Sequence, residues 1–453
     1  MDFQLENKTI AAIATPIGEG GVAMIRISGK KAFQIAETLF SKSVLSMTPK
    51  TVKYGQVLDS KKEPLDDVML LKLQGPKSFT GEDTIEIFCH GGLLIQKKIL
   101  ARCIEVGAEY ALPGEFSYQS FMNGKLDLAQ AEAIQQLIGA KNEYALKAAE
   151  DQLKGSLSEK IIGFRQELIE VAAIIDAWVD YPEEGLEFKS QEDLVKDLKK
   201  TYHSIEKLKN TFEDGRKIFH GIKLCLLGAP NAGKSSLMNA LLGYDRAIVT
   251  PIAGTTRDIL QEDLNLFGMS FKLIDTAGIR ETEEIIEKEG IKRSKAAGED
   301  ADLILFVIDS TKDLDDSDKN LINSLPSSKT ILIFNKSDLT DSASQIENFS
   351  SVSISAKNRT GLDELKASIE EKIWKCGPPS KEELILTKER HFKALDECLE
   401  NLERVFTGFD ENISCEFISF DLRMALKSLG SIIGFDLSES ILDSIFSKFC
   451  VGK

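Results

Sequence analysis

The sequence predicts a multidomain chain: an α+β unit at the N-terminus, an all-α unit supplied by two separated stretches, and an α/β unit between them. Two observations carry this. The hydrophobic period switches from short strand-like runs to a helical repeat near Leu126, to strand–helix alternation at Gly221, and back to helices after Gly377-Pro378-Pro379-Ser380. The 453 residues also suit three domains at roughly 150 residues each.

Taken in order, Val22–Ser28, Val68–Leu73 and Thr84–Phe88 predict strands, and Lys31–Leu39 and Leu93–Glu105 predict helices, giving a unit over 1–122. Ala131, Ile134, Leu137 and Ile138 share a helix face. A long helix follows through Phe164, Leu168, Ala172, Ile175 and Trp178 and breaks at Tyr181-Pro182, and Leu194–Phe212 predicts another, so 123–219 is helical. In 220–377, Lys223–Leu227, Ile259–Leu266, Phe271–Asp275, Leu303–Asp309, Ile331–Asn335 and Val352–Ser355 predict strands. Only Phe267–Ser270 separates the second from the third, which predicts a hairpin. The rest alternates βα, which predicts a mostly parallel doubly wound sheet. Glu382–Asn401, Ser414–Leu429 and Glu439–Lys448 predict helices in 378–453. Because domain termini are often close together, an insertion into a helical bundle is geometrically easy.

Charge and cysteines exclude several classes. The net charge is −16, from 56 basic and 72 acidic residues. Residues 1–122 are neutral, 220–377 carry −6, and the helical stretches carry the remaining −10. No bulk basic field for nucleic acid exists, so any RNA contact uses a local patch or a partner. Seven scattered cysteines without a Cys-x-x-Cys pair fit a reduced cytoplasm and exclude a disulfide framework. No apolar run reaches the length of a membrane span, and Met1–Thr9 lacks the pattern of a secretory signal, so a cytoplasmic location is expected.

Gly228-Ala229-Pro230-Asn231-Ala232-Gly233-Lys234-Ser235 follows a strand and opens a helix, the context of a Walker A loop. Its backbone N–H groups would close around phosphates, Lys234 would reach the terminal ones, and Ser235 would place its hydroxyl on magnesium, with Ser236 beside it. Asn335-Lys336-Ser337-Asp338 supplies guanine selectivity, because the Asp338 carboxylate can accept from N1–H and N2–H, donors that adenine lacks as a pair. Ser355-Ala356-Lys357 completes a base-binding loop. Asp275-Thr276-Ala277-Gly278 places a carboxylate near magnesium and an N–H near the γ-phosphate, and Thr256 is assigned as the switch threonine on magnesium. Ras-like enzymes orient water with a Gln after this motif; here Ile279 stands there and cannot. The acidic segment Glu281–Glu289 could supply that group or form a solvated helix face.

With these motifs stand Ala14-Thr15-Pro16, Gly20-Gly21-Val22, Arg26-Ile27-Ser28-Gly29, Phe79-Thr80-Gly81-Glu82-Asp83, His90-Gly91-Gly92, Pro113-Gly114-Glu115-Phe116, Lys125–Glu132 and a Cys450-Val451-Gly452-Lys453 end. Together they resemble the bacterial and organellar tRNA modification GTPase family MnmE (TrmE) over essentially the whole chain. The resemblance implies an α+β N-terminal domain that binds a tetrahydrofolate derivative (5-formyl- or methylene-tetrahydrofolate) and dimerises, a helical domain, and an inserted P-loop GTPase domain. It implies GTP hydrolysis coupled, with the FAD protein MnmG, to adding an aminomethyl or carboxymethylaminomethyl group at carbon 5 of the wobble uridine of certain tRNAs. By position, Arg26, Glu86 and Lys125 match the folate site, and Lys453 could place its side chain or carboxylate at the same centre. Asn231, Thr250, Ile252 and Thr255 match the enclosure of a potassium ion that takes the place of an arginine finger. Glu287 matches the water-orienting glutamate, and Cys450, in the matching Cys-aliphatic-Gly-Lys end, is expected to be a functional thiol near the folate-derived carbon. Cys89 and His90 are expected to pack. A ribosome-assembly GTPase acting as an RNA-binding switch is the alternative, against which the neutral and acidic flanks count.

Overall fold

The computed structural model describes residues 8–16, 18–181, 189–244, 263–274, 300–340, 346–374, 384–435 and 437–452. Its contacts divide into two compact units: 1–138, 152–198 and 400–453 in the first, 139–151 and 199–399 in the second.

In the first unit a sheet is built from β1 (Ile10–Ile13), β2 (Gly20–Ser28), β3 (Thr51–Leu58), β4 (Pro64–Leu73), β5 (Thr84–Gly91) and β6 (Glu109–Tyr110). The strand order is β3-β4-β5-β2-β1-β6, antiparallel except where β1 pairs with β6. Helices α1 (Ala32–Leu39) and α2 (Leu93–Glu105) cover one face, and their Ile35, Leu39 and Ile99 pack on Ile25, Ile27, Leu70, Ile85 and Ile87. The period of two along β2 and β5 sends alternate residues to the opposite face, where Arg26 and Glu86 are directly paired.

β3 has no counterpart among the predicted strands. Its apolar Val52 and Tyr54 are exposed and Gly55 is buried, so the usual signal is inverted over most of this edge strand and only Val57 is apolar and buried. Gly55 lies against the Phe40 ring, where a Cβ would come within 2.5 Å of a ring carbon.

Helices α3 (Glu115–Met122), α4 (Leu128–Gly139), α5 (Glu143–Leu153) and α6 (Ser156–Asp180) follow. The long α6 ends one residue before Tyr181, as the proline at 182 predicts. Helix α7 (Gln191–Asn210) is followed after one residue by a further helix, α8 (Phe212–His220), that the sequence pattern does not separate.

The second unit holds β7 (Ile222–Leu227), α9 (Lys234–Tyr244), β8 (Asp263–Leu266), β9 (Met269–Ile274), β10 (Leu303–Asp309), α10 (Asp316–Ser324), β11 (Thr330–Asn335), β12 (Ser350–Ser353) and α11 (Leu362–Ile373). The order is β12-β11-β10-β7-β9-β8, all parallel except the β8–β9 hairpin. Both faces of β10 are buried, with Leu303, Leu305 and Val307 in one apolar core and Ile304, Phe306 and Ile308 in another. A strand covered on both sides reads as a continuous apolar run, which makes it legible in the sequence.

Three helices close the chain: α12 (Glu389–Asp410), α13 (Cys415–Ile433) and α14 (Glu439–Phe446). The helix predicted from Glu382 starts at Glu389 instead. Leu386 and Thr387 are buried in non-helical chain, where the Leu386 N–H donates to Thr211 Oγ1 at 3.0 Å. The Leu386 carbonyl presses so closely on Gly215 of α8 that a Cβ there would collide with it. In the first unit α6 packs along α13, and Asp176 accepts hydrogen bonds from Ser419 Oγ at 2.6 Å and from the Arg423 guanidinium at 2.9 Å. Helices from both sides of the α/β segment thus pack together. Among the described residues no helix is long and apolar enough to cross a membrane, and no cluster of three metal-ligating side chains occurs.

Candidate functional site

The Walker A loop lies between β7 and α9, at the C-terminal edge of the parallel strands, where open α/β sheets bind their ligands. Two glycines are required there. Gly228 has φ +137°, and a Cβ would stand 2.1 Å from the Val307 carbonyl oxygen. Gly233 has φ +97°, and a Cβ would stand 2.1 Å from Asn335 Nδ2. The loop therefore sits directly on β10 and on the end of β11. Asn231 is left-handed at φ +62°, a conformation asparagine tolerates. The Lys234 ammonium donates to the carbonyls of Gly228 at 2.9 Å and Ala229 at 3.0 Å, which holds it along the loop it serves. Ser235 and Ser236 follow in the first turn of α9.

Asn335 ties three segments together. Its Nδ2 donates to the Ala232 carbonyl at 3.0 Å, and its Oδ1 accepts from the Ala356 N–H at 3.1 Å. Both ends of this side chain are satisfied, and it is 2 % exposed. The Ser337 N–H donates to the Ile354 carbonyl, and Ser355 Oγ donates to Asp338 Oδ1 at 2.6 Å. The same Ser355 hydroxyl oxygen accepts from the Asn358 N–H at 3.1 Å. Asn335, Asp338, Ser355 and Ala356, predicted from separate motifs, thus form one connected surface with the P-loop residues Ala232 and Gly233.

Lys336, at φ +65°, pairs its ammonium with Asp309 Oδ2 at 2.6 Å. Burial pushes the Asp309 carboxyl up, but hydrogen bonds from Lys336 and Thr311 outweigh it and hold the group below its ordinary range. The sequence motifs do not single out Asp309. The available signal is a carboxylate ending an apolar parallel strand.

A second constellation lies in the first unit. Arg26 Nε and Nη2 donate to Glu86 Oε1 at 3.0 and 2.9 Å, and both side chains are 13 % exposed. The guanidinium stands 5.4 Å from the Phe79 ring centroid and 5.6 Å from that of Phe116. The sequence reading gives these two aromatics no role. Arg26 Nη1 donates to the Gly452 carbonyl at 3.2 Å, which brings the C-terminal tail to this pair. Lys125 donates to the Pro76 carbonyl at 3.0 Å, and its chain lies against Gly81. Next to Gly81, one carboxylate oxygen of Glu82 is buried without a hydrogen-bond partner, and burial raises its pKa.

Cys450 is the one exposed cysteine among the described residues. Burial pushes the thiols of Cys103 and Cys398 up to about 12 and that of Cys89 up to about 11, which leaves them inert. Cys89 packs as expected. His90 does not: it is exposed at the end of β5, and its ring Nδ1 meets Asp66 Oδ1 at 2.7 Å. That hydrogen bond and the nearby charge raise its pKa. The predicted residues Thr250, Ile252, Thr255, Thr256, Asp275, Thr276, Ala277, Gly278, Glu287 and Lys453 lie outside the described residues.

A Walker A loop on a parallel sheet, joined through one asparagine to an Asn-Lys-x-Asp loop and a Ser-Ala-Lys loop, defines a P-loop GTPase. Comparison with known proteins specifies which kind. Residues 9–125 match the family described as GTP-binding protein TrmE N-terminus, and residues 128–450 match the MnmE helical domain. The tRNA modification GTPase MnmE of Protochlamydia amoebophila is 53 % identical over 99 % of this chain and 98 % of its own. Those of Acetivibrio thermocellus and Clostridioides difficile are 42 % and 39 % identical over 99 % of this chain, and over 100 % and 99 % of theirs. Among solved structures, the G domain of the T. maritima FeoB iron transporter aligns with 34 % of this chain and 99 % of its own, at 28 % identity and a TM-score of 0.26. The chain belongs to the MnmE family of tRNA modification GTPases.

Proposed function

We propose that this GTPase acts on tRNA in the cytoplasm as a homodimer. With the FAD protein MnmG, it would install the aminomethyl or carboxymethylaminomethyl group at carbon 5 of the wobble uridine of certain tRNAs. The observation that carries this reading is the convergence of the Arg26–Glu86 pair, the Phe79 and Phe116 rings and the Cys450-Val451-Gly452 tail in one chain that also holds a GTP site.

In the GTP site, Lys234 offsets phosphate charge, Asp338 reads the guanine edge, and Asn335 fixes the loop that presents both. Ser235, with Thr256, would hold magnesium, which shields the phosphate oxygens when bound. Asn231, already left-handed within the loop, suits a potassium ligand together with Thr250, Ile252 and Thr255; that ion supplies positive charge to the transition state. Glu287 is the candidate to orient the water, and Asp275 to Gly278 the candidates to sense the γ-phosphate. GTP turnover in potassium against sodium tests the ion assignment: at least about tenfold faster turnover in potassium is expected, and equal rates sink it.

In the N-terminal site, the carboxylate of Glu86 suits the amide-like edge of a pteridine, and Arg26, Lys125 and Lys453 suit carboxylates. The aromatics around Arg26 and the orphaned oxygen of Glu82 fit a fused polar heterocycle. The folate would supply the one-carbon unit, and these residues hold and orient it beside Cys450. Dimerisation is supported by the sheet face opposite α1 and α2, which leaves Val22 61 %, Val52 55 %, Tyr54 61 % and Met69 49 % exposed. Tyr54 and Met69 are cross-strand neighbours, and exposed apolar side chains on one sheet face fit a covered surface.

In cells whose only copy carries Cys450→Ser, GTP turnover of the purified protein is expected to equal wild type while the wobble modification disappears. Fully modified tRNA in that strain would remove Cys450 from the chemistry.

A further inference from the structure

Alternate main-chain carbonyls of the C-terminal tail are each held by a donor of the N-terminal half of the chain. The Lys448 carbonyl accepts from Gln135 Nε2 at 3.0 Å. The Cys450 carbonyl accepts from the Gly114 N–H at 3.3 Å, and the Gly452 carbonyl from Arg26 Nη1 at 3.2 Å. No side chain of the tail takes part in these three bonds, and the side chains of Cys450 and Val451 stay exposed.

The glycines on both sides permit the fit. Gly114, at φ +74°, lies so close to the Phe446 carbonyl oxygen that a Cβ would stand 2.2 Å from it. Gly452, at φ +91°, lies so close to the Ile13 carbonyl oxygen that a Cβ would stand 2.6 Å from it. Upstream, Phe446 and Phe449 pack with Tyr118 and Leu128, which anchors the start of the tail.

We propose that Gln135, Gly114 and Arg26 form a main-chain clamp that, downstream of the Phe446 and Phe449 anchor, sets the register of residues 448–452, so that Cys450 is held by its own carbonyl two residues before the carbonyl that Arg26 grips. Gln135 and Gly114 are positioning residues: they touch the tail, not the reacting atoms. Because the clamp grips carbonyls, it tolerates side-chain changes at the exposed positions 450 and 451 but not a shift of one residue, which would put N–H groups and the wrong carbonyls opposite all three donors. Arg26 is shared between the tail and Glu86, so the thiol and the ion pair are located by one guanidinium. The chemical consequence rests on the folate reading above, whereas the clamp itself does not.

The test places a nitroxide on Cys450 in the full-length protein, with Cys376→Ser and Cys415→Ser as background, and reads label mobility without folate, tRNA or nucleotide. The unmodified clamp gives a slow-tumbling spectrum. Gln135→Leu, and Gln135→Glu, which keeps the shape but has no N–H donor, each raise the mobile fraction about fivefold, the worth of one hydrogen bond. Gln135→Lys, which restores a donor, returns the slow spectrum, and a packing role alone would not follow donor capacity. Gly114→Ala frees the tail, while GTP turnover stays at wild type in all these variants. A tail equally immobile in Gln135→Leu, Gln135→Glu and Gly114→Ala, or already mobile in the parent, overturns the proposal. Folate titration of the same samples is a separate readout, so its failure strikes the folate reading and leaves the clamp standing.

Discussion

Replacing Asp338 by asparagine is expected to weaken GTP binding about a thousandfold and to create tight binding of xanthosine triphosphate. The fold should survive, because the substituted amide keeps the oxygen that accepts from Ser355 Oγ, at 2.6 Å in the native protein. What changes is the complement offered to the base. A carboxylate accepts two hydrogens from the guanine edge. An amide accepts one and turns its N–H₂ against the exocyclic N2–H₂, which leaves a buried donor facing a donor. Xanthine carries a carbonyl at that position and restores the pair. Titration with fluorescent GTP and XTP analogues measures both arms. GTP affinity within about threefold of wild type would mean that Asp338 does not face the base.

Lys234→Ala is expected to lower kcat/KM for GTP by roughly a thousandfold. In this structure the ammonium donates to two carbonyls of its own loop, at 2.9 and 3.0 Å. Losing it leaves those carbonyls beside solvent, so the melting temperature without nucleotide should stay near wild type. The rise in melting temperature that GTP gives the wild-type protein should vanish, since a ligand stabilises only in proportion to its binding. A variant that still hydrolyses GTP at near wild-type efficiency would remove Lys234 from the phosphate site.

The two sites are unequally legible in the sequence. The GTP site is a contiguous loop plus two short motifs at strand ends, and each residue type is dictated by phosphate or base chemistry. Asn335 illustrates the remainder. Its motif implies a base contact, while its bonds to Ala232 and Ala356, 103 and 21 residues away, emerge only when β11 lies beside β10, and β10 beside β7. The Arg26 constellation gathers residues from β2, β5, α3 and the chain end, and no local pattern joins positions 426 residues apart.

The elements that escape the sequence have physical reasons. β3 exposes Val52 and Tyr54 and buries a glycine between them and Val57, so most of it carries the wrong sign of alternation. Leu386 looks helical because it is apolar within a charged run, yet its carbonyl is fitted to Gly215. His90 is expected to pack together with Cys89, which it follows; it is instead the last outward residue of β5, held by Asp66.

Mass spectrometry of tRNA nucleosides from a strain lacking the gene asks directly whether this GTPase serves wobble-uridine modification. Aminomethyl and carboxymethylaminomethyl derivatives at carbon 5 of the wobble uridine should disappear, and return on complementation with the wild-type chain. An unchanged nucleoside profile in the deletion strain would show that the protein has no part in that modification.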